Sequence, residues 1–109
     1  MSQNEFALFL VTASSVEEAQ KISSLLLEQR KAACVNILPG VSSSYWWKGK
    51  IETASETLLI IKSRASLSDE IVKLVKHAHS YSVPEVIALP IISGNPDYLA
   101  WIGAEVPEG

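Results

Sequence analysis

Two closely spaced histidines are the first residues whose type and spacing could do chemistry, because imidazole is a good ligand for Cu(II) and Zn(II). His77 and His79 are separated by a single residue. In a helix, a two-residue step would turn the side chains roughly 200° apart, whereas in an extended segment they would share a face and could hold one ion. The alternative is a solvated His77 and a His79 that is hydrogen-bonded within a subunit contact. We take His79 as the candidate metal ligand.

A single cysteine, Cys34, limits the redox and metal chemistry of the chain. It excludes an internal disulfide and a Cys-x-x-Cys zinc or redox pair. A soft metal site would need Cys34, but a lone cysteine in an apolar strand is usually a small hydrophobic residue.

One lysine and two glutamates form the next candidate group. Lys62 ends an apolar strand, so it would lie partly inside the protein and need a counter-ion. One interpretation is a structural pair between Lys62 and a carboxylate at a subunit boundary. The other is a cleft in which Lys62 meets an anionic ligand and Glu56 or Glu85 orients it.

Most of the aromatic side chains fall in the segment 45–47 and at Tyr81, Tyr98 and Trp101. Strand alternation would place Tyr45 and Trp47 on one side and Trp46 on the other. Aromatic anchors of this kind are typical of subunit interfaces. We therefore favour packing between subunits over a base-stacking or ligand-stacking role.

Composition excludes several classes of protein. The 109 residues allow one domain, which we place over 1–109. With 48% apolar and 19% charged residues, the chain is not disordered. The net charge of -3 and the absence of a basic run longer than Arg30-Lys31 argue against nucleic acid as a partner. No Gly-rich phosphate loop and no Ser-His-Asp arrangement is readable from the spacing.

Targeting segments are not evident in the sequence. The first five residues lack a positive n-region, and the apolar run Phe6–Val11 is too short for a signal peptide. No stretch approaches the roughly 20 apolar residues of a membrane span. The expected location is therefore the cytoplasm, without a membrane as partner.

The first half of the chain predicts a strand, a helix and a long hairpin. The run Phe6–Val11 has no alternation, which favours a strand covered on both faces. A helix follows, with Ser14 or Ser15 as N-cap, Glu17 or Glu18 at the capping-box position, and an end near Arg30-Lys31. The predicted hairpin consists of a strand Ala32–Leu38 and a return strand Thr57–Lys62. Its turn is Lys48-Gly49-Lys50, with the glycine in the middle. We expect the hairpin to bend at Pro39-Gly40 and again near Ala54-Ser55.

The second half predicts a helix, a strand and a short helix. In chain order these are a helix capped by Ser66 with Asp69 at the box position, a loop over 81–84, a strand Glu85–Ile92, and a helix Pro96–Ile102 capped by Asn95 and ended by Gly103. Pro90 inside the strand argues for an edge position or a bulge.

This element order predicts an α+β fold, the ferredoxin-like split β-α-β sandwich. Right-handed crossovers place both long helices on one face of the sheet. The strands are apolar on both faces, so the other face would be a bare apolar patch larger than a monomer usually exposes. We expect sheets from several subunits to pack together there.

Four local strings together resemble one known family, the CutA divalent-cation-tolerance proteins. They fall in the family's order, and the resemblance covers about residues 6–102, nearly the whole chain. The strings are Ala32–Val41 followed by Tyr45–Glu52, Glu56 with Leu59–Lys62, His79–Glu85, and Asn95–Ile102.

The resemblance implies a PII-like homotrimer in which long bent hairpins tie the subunits together. It also implies a link to tolerance of divalent metals, copper above all, and no firmly attached enzymatic activity. Matching positions line the inter-subunit cleft of the family. On that basis the predicted ligand-binding cleft comprises Cys34, Trp47, Glu56, Lys62, Tyr81, Glu85 and Tyr98.

One departure from the family pattern concerns copper. The best-known copper site of the family has a cysteine at the end of the first strand and two adjacent histidines before the Tyr-x-x-Pro-Glu segment. Here these positions are Val11 and Ala78, and His79 alone remains. The sequence therefore keeps one of the three family ligands.

The sequence thus predicts a trimeric, non-catalytic protein that responds to divalent metal, by binding copper, another divalent cation or a small ligand between subunits. The first alternative is an enzyme or PII-like signalling module that acts on a small anionic ligand through Lys62, His79 and Glu85. The second is a scaffold for an unidentified protein partner, in which metal plays no part.

Overall fold

A computed structural model describes residues 5–108 of the chain. The strands are β1 (Phe6–Ala13), β2 (Cys34–Trp47), β3 (Lys50–Arg64) and β4 (Val86–Pro90), and the helices are α1 (Val16–Glu28), α2 (Ser68–Ala78) and α3 (Pro96–Glu105). The strands form one antiparallel sheet in the order β2-β3-β1-β4. This confirms the predicted ferredoxin-like α+β fold. The expectation about the first residues of the chain falls largely outside the described residues, and one domain over 1–109 stays a prediction.

Helix α1 begins and ends with backbone groups that are satisfied locally. The Ser15 hydroxyl accepts a hydrogen bond from the Glu18 amide at 3.1 Å, and the Glu18 carboxylate accepts one from the Ser14 amide at 2.9 Å. This is a capping box shifted by one residue. At the other end Arg30 adopts a left-handed φ of 58°, and the Lys31 amide bonds back to the Leu26 carbonyl at 2.8 Å. Helix α1 therefore ends two residues before the predicted Arg30.

Strands β2 and β3 form one long hairpin that carries the aromatic segment. Lys48 and Gly49 both have positive φ, 51° and 80°, which is the two-residue turn that suits the twist of paired strands. The predicted three-residue turn is therefore one residue too long. The predicted bend at Pro39-Gly40 is a bulge inside one continuous strand, and the pairing continues without a shift across Ala54-Ser55.

The predicted start of the second helix is wrong. Ala65–Leu67 form a 3-10 turn, and α2 follows from Ser68 without a side-chain cap. The sheet runs directly into this turn, so Ser66 lies inside it and cannot act as N-cap. The acidic Asp69 in the first turn still complements the helix dipole.

The last strand and helix follow the predicted order with different ends. Strand β4 is an edge strand, as Pro90 indicates. The Asn95 side chain accepts a hydrogen bond from the Asp97 amide at 3.0 Å and caps α3. Helix α3 continues past Gly103 to Glu105, so Gly103 does not end it. The missing side chain at Gly103 lets the helix pack closely against its neighbours. A Cβ there would lie 3.3 Å from both the Arg64 guanidinium and the Phe6 ring.

The core lies between one face of the sheet and the first two helices. Strand β1 alternates strictly, so Ala7, Phe9, Val11 and Ala13 are buried on this side. The buried residues that pack on them from the helices and β3 are Ala19, Ile22, Leu26, Ile71, Val75, Leu59 and Ile61. Both long helices thus cover one face, as predicted.

The opposite face of the sheet is apolar, and we call it the open face. Its residues alternate along each strand with the buried ones and lie opposite or diagonal to one another on neighbouring strands. They are Leu8, Leu10, Leu38, Leu58, Ile60, Ile87 and Leu89. Three of them are exposed, Leu38 at 41%, Leu89 at 43% and Ile87 at 51%, and the other four are half-buried. The prediction of a bare face needs one correction. Helix α3 crosses its end, where Tyr98 and Leu99 share a cavity with Leu8 and Lys62.

Candidate functional site

The end of α2 separates the two histidines. Helix α2 ends at Ala78, and His79 is extended with φ -92° and ψ 145°. His77 is therefore helical and exposed, and it lines a different cavity together with Lys21 and Glu28. The structure does not bring the two imidazoles together.

The His79 ring is completely buried, and both of its nitrogens have backbone partners. Nε2 donates to the Thr12 carbonyl at 2.7 Å, and Nδ1 accepts from the Tyr81 amide at 3.0 Å. In this pattern Nε2 is the donor and Nδ1 is the acceptor. The ring therefore joins β1 to the loop after α2.

This geometry does not fit a copper ion within one chain. Ligation would require His79 to give up one of its two hydrogen bonds. No group of three or more His, Cys, Asp or Glu side chains that could hold a metal ion occurs within residues 5–108. The assignment of His79 as a metal ligand stays a prediction.

Glu18 ties the loop after α2 to the start of α1. Its carboxylate accepts hydrogen bonds from the Ser80 amide at 2.8 Å and the Ser14 amide at 2.9 Å. Burial alone would raise the pKa of this carboxyl, but the hydrogen bonds from Ser14 and Ser80 outweigh it and lower the pKa from 4.5 to about 2. Glu18 therefore stays ionised and holds the loop against α1.

Tyr81 connects that loop to the long hairpin. Its hydroxyl donates to Glu56 Oε2 at 2.8 Å. Glu56 lies on β3, where it pairs with Val41 directly after the bulge in β2, and is only 8% exposed. Burial, together with the hydrogen bond and negative charge of Glu56, raises the pKa of Tyr81 to about 12. The hydroxyl is therefore held as a donor at neutral pH.

Two adjoining cavities surround this contact. The first, here called the aromatic pocket, has a volume of about 430 Å³ and is lined by Tyr45, Trp47, Tyr81, Ser82 and Val83. The second, the acidic pocket, has a volume of about 390 Å³ and is lined by Ser43, Ser44, Tyr45, Glu56 and Glu85. They meet at Tyr45.

Four of the predicted cleft residues lie together here. Trp47 and Tyr81 line the aromatic pocket, and Glu56 and Glu85 line the acidic pocket. Tyr45 was expected only as an interface residue. The signal for it was the strand alternation that places it on the same side as Trp47.

The other predicted cleft residues form a second group. Lys62 donates to the Asn36 side chain and lies 3.9 Å from the Cys34 sulfur. Tyr98 lines the same cavity as Lys62, of about 370 Å³, and burial and the Cys34 thiol raise the pKa of Tyr98. Asn36 was missed, although it shares a strand face with Cys34.

The two groups are far apart within one chain. Glu56 and Lys62 lie six positions apart on β3, which is about 20 Å at the rise of an extended strand. Within residues 5–108 no carboxylate pairs with Lys62. The Lys62–carboxylate pair and the enzyme constellation of Lys62, His79 and Glu85 are therefore not assembled by a single chain.

Comparison with known proteins gives the same family at the levels of sequence and structure. The family model described as "CutA1 divalent ion tolerance protein" matches residues 7–105. "Protein CutA 1, chloroplastic" of Oryza sativa subsp. japonica is 50% identical over 92 residues, which is 84% of this chain and 52% of that protein. "Divalent-cation tolerance protein CutA" of Thermus thermophilus is 44% identical over 93 residues, which is 85% of this chain and 90% of that protein.

Solved structures agree closely with this fold. The crystal structure of CutA1 from Oryza sativa superposes with a TM-score of 0.93 at 44% identity and covers 99% of this chain and 100% of that chain. The structure of the periplasmic divalent cation tolerance protein CutA from Archaeoglobus fulgidus gives 0.91 at 43% identity over 94% of this chain and 99% of that chain.

The relatives differ in length and named location. The chain spans about half the length of the rice protein, which is named as chloroplastic, whereas the Archaeoglobus structure is named as periplasmic.

No helix within residues 5–108 has the length and apolar character that a bilayer crossing requires. The relatives are named as tolerance proteins and not as enzymes. The chain belongs to the CutA1 divalent ion tolerance family.

Proposed function

We propose that this chain forms a homotrimer through the open face and that the trimer acts in the response to and tolerance of divalent metal ions. In this proposal it binds a divalent cation or a small ligand in a cleft between subunits and does not catalyse a reaction. The open face carries the proposal, because seven apolar side chains on four adjacent strands are exposed or half-buried there, and α3 crosses only one end of that face.

Burying that face is the physical reason to assemble. A fully exposed large aliphatic side chain contributes about 1.5–3 kcal/mol when it is buried, and a half-buried one contributes less, so the seven side chains together offset the entropy lost on association. The exposed hairpin gives a second contact, since Trp46 is 72% exposed and Ile51 65% exposed. Apolar side chains at both places favour an assembly that uses the sheet and the hairpin together.

A charge placed on the open face tests the assembly. Ile60→Lys puts an ammonium in the middle of that face, and Leu27→Lys makes a matched change on the exposed side of α1. We expect size-exclusion chromatography with light scattering to give the assembled mass for wild type and Leu27→Lys and the monomer mass for Ile60→Lys. An assembled Ile60→Lys variant would remove the open face as the interface.

The metal part of the proposal requires more than one subunit. Copper is the first ion to test. Within residues 5–108 of one chain, no three His, Cys, Asp or Glu side chains lie close enough together to hold a metal ion, so the remaining ligands would come from a neighbouring subunit. A strain that lacks this protein can be complemented with wild type or with Ile60→Lys and grown at rising Cu(II) concentrations. The comparison tests whether metal tolerance depends on assembly. We expect wild type alone to restore tolerance. Equal rescue by an unassembled variant would separate metal tolerance from the trimer.

The second candidate function is a signalling or enzymatic module for a small anionic ligand. The observation in its favour is the group of Lys62, Asn36 and Tyr98 beside a cavity, with no carboxylate paired to the lysine within residues 5–108. Turnover of an anionic substrate that is lost in Lys62→Met would favour it over the metal role.

The cytoplasm remains the proposed location for this chain. Relatives are named for two other compartments, so the sequence argument needs a direct test. Cell fractionation that recovers the native protein outside the cytoplasmic fraction would contradict it.

A further inference from the structure

The two pockets at the bend of the hairpin indicate the charge of their ligand. We propose that the aromatic pocket and the acidic pocket together bind a small organic cation, an alkylammonium group with an apolar body. The inference deepens the proposed ligand cleft and rests on it, because it names the chemical class that one part of the cleft would take.

The carboxylates have no compensating charge of their own. Glu56 is 8% exposed, and within residues 5–108 no lysine, arginine or histidine forms an ion pair with Glu56 or Glu85. A buried carboxylate without a counter-ion is costly. Tyr81 donates to Oε2, and no buried side-chain oxygen of the described residues lacks a partner, so Oε1 is open to solvent in the acidic pocket. A cationic donor from a ligand would replace water at that oxygen.

The walls beside the carboxylates suit the same ligand. Tyr45 lines both pockets, and Trp47 and Tyr81 complete the aromatic lining. Aromatic rings attract cations through their negative faces. The Trp47 ring already has the Lys48 ammonium 5.9 Å from its centre. The volumes of about 430 and 390 Å³ fall in the usual range for small-molecule sites.

Other ligand classes fit these pockets less well. An anion would face Glu56 and Glu85, and among the described residues neither pocket has a lysine or arginine in its lining. A metal ion needs more donors than the two carboxylates, and residues 5–108 contain no cluster of three acidic, histidine or cysteine ligands. An organic cation uses both features, since its charge meets the carboxylates and its body meets the rings.

Three probes that share a phenylethyl or benzyl body separate charge from shape. They are 2-phenylethylammonium, the neutral 2-phenylethanol and the anionic phenylacetate, each titrated into the full chain by calorimetry at pH 7. We expect the ammonium to bind at least about tenfold more tightly than the alcohol, with no measurable binding of phenylacetate. Glu56→Gln and Glu85→Gln should each weaken ammonium binding about tenfold.

Matched variants make the result specific. Glu28→Gln changes the same charge on exposed α1 and should leave ammonium binding unchanged. If Glu56→Gln does not fold, the exposed Glu85→Gln still decides the question. The assembled mass is measured on the same sample, so a trimer that fails to bind the ammonium overturns this inference and leaves the proposed assembly intact.

Three results would overturn the inference. One is equal binding of all three probes, which would mean that the pocket selects shape alone. Another is that the protein does not bind 2-phenylethylammonium but binds ZnCl₂ or CuCl₂ in a way that depends on Glu85. The third is ammonium binding that appears only in Lys62→Met, because Lys62 of a neighbouring copy would then be the natural occupant.

Discussion

Replacing Glu18 with glutamine should loosen the loop that carries His79 and Tyr81. The carboxylate accepts hydrogen bonds from two backbone amides, Ser14 at 2.9 Å and Ser80 at 2.8 Å. Glutamine has only one acceptor atom at this place, so one of the amides would face an NH₂ group instead. A buried amide left without its acceptor costs about 1–3 kcal/mol, and because Ser14 and Ser80 are exposed residues the loss should lie near the lower end.

The pKa of Glu18 gives an independent magnitude. A fall in pKa from 4.5 to about 2 corresponds to at most about 3 kcal/mol, at 1.36 kcal/mol for each pKa unit. The side chain is 11% exposed, but its partners Ser14 and Ser80 are exposed residues, so solvent screening keeps the contribution below this bound. Because the pKa is lower in the folded state, the contribution is full above pH 4.5 and is lost as the pH falls towards 2.

Urea unfolding at fixed protein concentration measures both effects. At pH 7 we expect Glu18→Gln to lower the free energy of unfolding by about 1–2 kcal/mol. The matched variant Glu17→Gln, in the same turn but exposed, should lose less than about 1 kcal/mol. The difference between wild type and Glu18→Gln should shrink between pH 4.5 and 2. A difference that is constant with pH, or equal effects of the two variants, would refute this explanation.

The remaining predictions concern copper, α3 and assembly. Calorimetry with Cu(II) should give equal affinity for wild type and His79→Ala, because both ring nitrogens are already engaged; weaker binding by the variant would make His79 a ligand. Gly103→Val should lower the free energy of unfolding by about 1–3 kcal/mol more than Ala104→Val does, because it crowds Phe6 and Arg64; equal effects in urea unfolding would show that α3 moves at no cost. The melting temperature should fall on hundredfold dilution, because assembly is linked to folding; a constant value in scanning calorimetry would contradict that link.

The fold was predictable because its strongest signals are local. Helical spacing gave α1 and α2, the Asn95-Pro96 pair gave the start of α3, and Pro90 indicated the edge strand. The errors lie where tertiary contacts override local preference. Ser66 has the chemistry of a cap but falls inside a 3-10 turn, and Gly103 resembles a helix end but serves close packing.

The candidate site was predictable in its members and not in its arrangement. Alternation along β2 placed Tyr45 with Trp47, and the resemblance supplied the glutamates. The separation of about 20 Å between Glu56 and Lys62 follows from their spacing once both lie on one strand, but the predicted strand began at Thr57 and left Glu56 outside it. No sequence pattern could show that a backbone amide and a carbonyl occupy both nitrogens of His79. That feature depends on contacts between residues distant in sequence.

Sedimentation equilibrium of the wild-type chain at low micromolar concentration tests the central claim most directly. If three copies bury the open face, the mass should be three times 11.9 kDa, about 36 kDa. A stable species of 11.9 kDa at that concentration would contradict the claim, because the seven aliphatic side chains of the sheet would then remain in water.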